Sequence, residues 1–174
     1  KLHAPNWFIE NQDGSKNPHD EIDNPFRSAE VLQAHVDEGL HYAKKNRLPK
    51  PIANFIPEHQ GTLKMGYFFQ KAKEKNLKIN ENDFRYKGPI PQSKETAILM
   101  LADGCEAALR AMNINASDNE ALETISRIIY SRHKDGQLDD SNLSKGEIFL
   151  IKRAFLNVWK RIRHRRIQYP TSKN

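Results

Sequence analysis

Two serines, each followed three residues later by a glutamate, constrain this 174-residue chain more than any other feature: Ser117-x-x-Glu120 and Ser144-x-x-Glu147. In such a capping box the serine oxygen accepts from the third residue's backbone N–H. The glutamate accepts in turn from the serine's own N–H, so each pair marks a helix start. The first box predicts a helix to about His133, with Gly136 just past its end. The second predicts a basic amphipathic helix over 144–168, stopped before Pro170. Ser93 predicts another, running to Met112. From Pro25 to Asn46, residues Ser28, Leu32, His35, Val36, Gly39 and Ala43 fall on one face at i, i+3/i+4 spacing. Leu48-Pro49-Lys50-Pro51 breaks that helix. A short helix follows, with Ile52, Phe55, Ile56 and His59 on one side and Gly61 at its end. Met65 to Leu77 reads as one more. Residues 1–25, punctuated by Pro5, Gly14, Pro18 and Pro25, read as mostly loop, and Asp83 to Pro91 as a rigid loop. No stretch alternates as a strand would. The expected fold is all-α, a helical bundle in one domain over 1–174.

That length suffices for a single core. No run approaches the roughly 18 uncharged apolar residues that span a bilayer, and no charged-then-apolar leader is expected. Cys105 is the only cysteine, which excludes an internal disulfide. Its apolar surroundings in sequence predict a buried, inert thiol. The net charge of +6 is unevenly spread. Residues 152–174 hold eight Lys/Arg and no acid, leaving 20 basic against 22 acidic residues in 1–151. A basic helix can mark nucleic acid or an anionic membrane. Here Ile148, Ile151, Phe155, Val158 and Ile162 predict a core-facing stripe, so no nucleic-acid partner is expected.

The informative residues are polar ones on apolar faces. Asp103 interrupts Ala97 to Leu109, where ten of thirteen residues are apolar. A helix so apolar is expected to be buried over much of its circumference, and a carboxylate there needs a cation or donors. Gly104 beside it weakens the helix, which makes sense if another group approaches the backbone closely. His35 lies in a core stripe one turn before Gly39, and His59 ends the next stripe. A lone histidine on an apolar face is ordinarily a satisfied core residue. Two histidines and an aspartate on three helices of a bundle also suit Fe, Mn or Zn. Their spacing, 24 and then 44 residues, is no metal fingerprint.

Several segments, in order, carry a resemblance: Asn17-Pro-His-Asp20, Ser28-Ala-x5-His35-Val-x2-Gly39, Glu58-His-Gln-Gly-Thr62 and Tyr67-Phe-Phe-x-Lys-Ala72. Phe84-Arg-Tyr-x-Gly-Pro-x-Pro91, Leu101-Ala-Asp-x-x-Glu-Ala107 and Asp135-Gly-Gln-Leu138 complete them. Together they resemble the cytoplasmic HD domain of the seven-transmembrane HD (PgpH-type) proteins. The resemblance implies a bacterial phosphodiesterase of cyclic di-AMP with two divalent metal ions, iron or manganese, in the cytoplasmic part of an inner-membrane protein. By position, His35, His59 and Asp103 match metal ligands. Gln60 stands where the family has a second adjacent histidine, and a neutral amide is a weaker ligand. Arg85, Lys94 and Arg110 become candidates for gripping phosphate, with an Arg110–Glu106 pair as the alternative for Arg110. Tyr86 or Phe84 becomes a candidate for stacking on a base.

The resemblance also implies an adjacent His-Asp dyad and an upstream His. Lys1 resembles the lysine that closes the dyad's motif, so the first helices of the HD core are expected to precede this chain. His19-Asp20, in a Pro-rich stretch, matches a different family segment and is not expected to replace the dyad. No catalytic residue is therefore assigned, and the 174 residues alone are expected to be inactive and prone to form a homodimer through exposed apolar surface. A degenerate HD domain that binds a nucleotide as a sensor is the alternative.

Overall fold

The computed structural model describes residues 5–8, 17–75, 77–113 and 115–164. The expected end of the last helix, 165–168, and most of 1–16 lie outside the described residues. The chain divides into two compact units, Lys1–Ile90 and Pro91–Asn174.

The first unit holds α1 (Pro18–Ile22), α2 (Pro25–Lys45), α3 (Lys50–Ala53), α4 (Phe55–Glu58) and α5 (Gly66–Glu74). Short 3-10 turns cover Pro5–Trp7 and Glu81–Phe84. Residues 17–25 are more helical than expected, because each proline there is a helix start. Asn17 and Asn24 accept from backbone N–H groups of α1 and α2, and Pro18 and Pro25 occupy the first helical position, where a missing N–H costs nothing. The single helix expected over 52–61 is two short pieces joined at Asn54. Pro57 has no N–H to continue the ladder, and Gly61 turns the chain at φ 52°. Around Ala29, Met65, Phe68, Ala72 and Phe84 the unit builds its core, with Phe26, Leu32 and Tyr86 packed against it.

The second unit holds α6 (Lys94–Arg110), α7 (Asp118–Lys134) and α8 (Lys145–His164). Both Ser-x-x-Glu boxes form as expected: Glu120 and Glu147 accept from the serine N–H at 2.7 and 2.9 Å. Ser93 makes a third with Thr96. Ala97, Leu101, Cys105, Ile125, Ile129, Leu138 and Ile151 form the core. Along α8, Ile148, Ile151 and Phe155 meet this core, whereas Val158 and Ile162 are exposed. The expected stripe therefore faces the core only in the first half of the helix; farther along, Lys160 pairs with Asp118 and Arg163 donates to the Ala116 carbonyl at the start of α7. Among the described residues there is no strand, only an isolated bridge between Lys64 and Arg85. No described helix is long and apolar enough to cross a membrane.

Candidate metal centre and its surroundings

Helix α2 carries His35, and His59 caps the end of α4; their rings stand 5.6 Å apart, edge to face. The approach of the two elements depends on Gly39, one turn beyond His35. A Cβ there would sit 2.7 Å from Cγ2 of Ile56, so any larger residue would push α4 and its histidine away. Nδ1 of His35 lies 2.5 Å from the Leu32 carbonyl, and Nδ1 of His59 lies 2.6 Å from that of Ile56. A carbonyl can only accept, so both rings carry the proton on Nδ1. The lone pair of each is then on Nε2, the tautomer of a metal-ligating histidine. Phe8 and Tyr86 flank His35 at 5.4 and 6.0 Å between ring centroids.

The loop after α5 is pinned to the turn that carries His59. Met65 N–H donates to the Phe84 carbonyl, and Tyr86 N–H donates to that of Leu63. Arg85 donates to the Thr62 carbonyl at 2.9 Å and to Glu81 through Nε and Nη2. These bonds, with Lys64, hold the Glu81 carboxyl below the usual carboxylate range. Gly88, at φ 79°, lets the loop pass Thr62, whose Cγ2 would be 2.9 Å from an added Cβ. Phe84 is completely buried and serves as the loop's anchor. It is not placed to stack on a base, because the core closes around it. His19, expected in a loop, is a buried residue of α1 whose Nε2 donates to the Trp7 carbonyl.

In the second unit Asp103 is exposed, contrary to the burial expected from its apolar helix. The apolar residues of α6 are more numerous than its packing uses. Its buried face runs through Ala97, Leu101 and Cys105, and leaves Ile98 and Leu99 exposed as well. The close approach expected at Gly104 is real: Nη2 of Arg132 and Cγ2 of Ile128 would lie 3.1 and 3.3 Å from a Cβ there. Lys94 donates to Glu147 at 2.6 Å, which with Ser144 brings that carboxyl down to about 2. Arg110 pairs with Glu106 on its own helix, the alternative named for it above. Burial pushes the Cys105 thiol up to about 11, leaving it neutral and inert at physiological pH.

The structure thus brings His35, His59 and Tyr86 together in the first unit, with half-buried Gln60 in the turn after His59. Asp103, Lys94 and Arg110 belong to the second. Imidazole nitrogens are donors of the type that divalent iron or manganese takes. Among the described residues, no group of three or more His, Cys, Asp or Glu side chains is gathered to hold a metal ion. Gly39 and Arg132 were not nominated from sequence. An isolated glycine and a basic residue in a helix's last turn each have ordinary explanations.

The fold matches the crystal structure of the Listeria monocytogenes phosphodiesterase PgpH HD domain in complex with cyclic di-AMP, with a TM-score of 0.87 and 36% identity. The match covers 93% of this chain and 75% of that one. The chain belongs to the PgpH HD-domain family. A second crystal structure of the Listeria PgpH HD domain matches with a TM-score of 0.86 and 35% identity. Sequence relatives in the family include the cyclic-di-AMP phosphodiesterases PgpH of L. monocytogenes, 38% identical over the whole chain, and of Bacillus subtilis, 37% identical over 98% of it. An uncharacterized Synechocystis protein is 46% identical over 98% of the chain. The chain spans about a quarter of the length of these curated relatives, 22 to 24%. No protein-family model matches it.

Proposed function

We propose that this chain is part of a metal-dependent phosphodiesterase that hydrolyses a cyclic dinucleotide, cyclic di-AMP. The observation that carries this reading is the likeness, over 93% of the chain, to a PgpH HD domain bound to that nucleotide. The paired histidines, each set by a backbone carbonyl to offer Nε2, support it locally. In this reading His35 and His59 supply two ligands of the divalent metal, iron or manganese, and Asp103 keeps the metal-ligand position that the family resemblance gives it. Gln60 contributes at most a neutral amide oxygen. A divalent cation in such a site supplies Lewis-acid charge for in-line hydrolysis of the phosphodiester. This chain's own residues supply orientation: the Leu32 and Ile56 carbonyls fix the imidazole tautomers, and Arg85 locks the His59 turn through Thr62. Tyr86, beside His35, is the candidate for stacking on an adenine. The parent would be a membrane-anchored protein with this domain in the cytoplasm.

The 174 residues alone would bind metal weakly and not turn over, because Gln60 and two histidines leave the ligand set short. The test compares this chain with its full-length parent. Manganese-dependent conversion of cyclic di-AMP to the linear dinucleotide is expected from the parent only. Robust turnover by this chain would overturn its proposed inactivity. Gln60 favours a second reading, a sensor that binds the nucleotide without cleaving it. Binding without turnover by the parent would select that reading, and neither binding nor turnover would remove both.

A further inference from the structure

The three cations nominated from sequence are each matched to a carboxylate: Arg85 to Glu81, Lys94 to Glu147 and Arg110 to Glu106. Each would have to give up an ion pair before gripping an anion. Arg132 is in a different state. Its guanidinium crosses α6 at Gly104, where an added Cβ would meet Nη2 at 3.1 Å. Its Nε is buried with no hydrogen-bond partner. Asp135 and Asp103 act on it through space, without a hydrogen bond to it among the described residues. Leaving a half-buried guanidinium unpaired disfavours folding, and an uncharged side chain of the same length would fill the space without that cost. Packing therefore explains the stem of Arg132 but not its charge.

We propose that Arg132 is a phosphate-binding residue, its guanidinium taking non-bridging oxygens of a phosphodiester at the Asp103 face of the second unit. A planar guanidinium matches two phosphate oxygens at once, which a lysine cannot do. With Nε buried, the two Nη amino groups are the donors a ligand would meet. Gly104 is the residue that permits the crossing, which accounts for a helix-weakening glycine in mid-α6. Cyclic di-AMP as the source of the phosphodiester rests on the function proposed above; the anion site itself does not.

The experiment titrates the 174-residue chain with inorganic phosphate and, separately, with cyclic di-AMP, following phosphate by phosphorus NMR and the nucleotide by calorimetry. Arg132→Met, Arg132→Lys and Gly104→Ala are compared with wild type, and Lys160→Met controls for net charge. Arg132→Met is expected to weaken both ligands at least tenfold. Arg132→Lys should recover only part of the loss. Gly104→Ala keeps the charge but displaces it, and should weaken binding as well; it also decides the matter if Arg132→Met fails to fold by circular dichroism. Lys160→Met should bind as wild type does. Unchanged affinity in the Arg132 and Gly104 variants would overturn the proposal, as would a wild-type chain that binds neither ligand. Arg132-dependent binding of phosphate without cyclic di-AMP would keep the anion site and overturn the nucleotide assignment instead.

Discussion

His19 shows what a single burial does to a titratable group. Packed between Trp7 and Phe68, it stays neutral to a lower pH than an exposed imidazole, because burial penalises the charged ring. The unfolded chain binds the proton first, at about 6.5, so stability is expected to fall as pH drops below that value. Thermal unfolding at pH 7.5 and 5 would show this, and His19→Leu should flatten the dependence. An undiminished melting temperature at pH 5 would contradict it. Cys105 works at the alkaline end. Its thiol is held up to about 11 while the unfolded thiol titrates near 9, so stability should decline as pH rises above 9. Native alkylation of Cys105 should be slow until the protein unfolds. The inert thiol was legible from its apolar neighbours. The burial of His19 was not, because a proline-rich stretch hides a helix start.

Element boundaries followed local chemistry wherever a side chain caps a backbone. The Ser144–Glu147 box was read directly, and Ser144→Ala is expected to cost about 1 kcal/mol through the lost cap of α8. Glu147, held at about 2 by Lys94 and Ser144, adds stability of its own that is present above pH 4.5 and lost as pH falls toward 2. Helicity followed by circular dichroism against pH, in wild type and Glu147→Gln, checks the window. What periodicity missed is which face of an element is used. Helix α6 is apolar almost all round, so its sequence could not say that Asp103 would be exposed. Gly39 is the corresponding case between elements: Gly39→Ala should cost about 1 to 3 kcal/mol by overpacking against Ile56. It should also weaken any metal response by parting His35 from His59, and a fully retained response would argue that the approach is not needed.

For the molecule as a whole, any ligand that binds only the folded chain stabilises it by mass action. If His35 and His59 hold a divalent cation, manganese at about one hundred times its Kd should stabilise the chain by about 2.7 kcal/mol. His35→Ala and His59→Ala should each abolish that increment without removing the fold, read as the difference in melting temperature with and without metal. Equal stabilisation of the variants would place the ion elsewhere.

The all-helical architecture, its capping boxes and its family were determined by the sequence itself, because helix starts and amphipathic periods are set by residues within a few positions of one another. The family positions His35, His59 and Asp103 were legible as residues. The Arg110–Glu106 pair was legible as an i,i+4 spacing, whereas tertiary structure alone decided that the two histidines meet and that Lys94 is tied to Glu147. It likewise left Arg132 half-buried over Gly104. These are contacts between residues up to 53 positions apart, as with Lys94 and Glu147, and no local pattern encodes them.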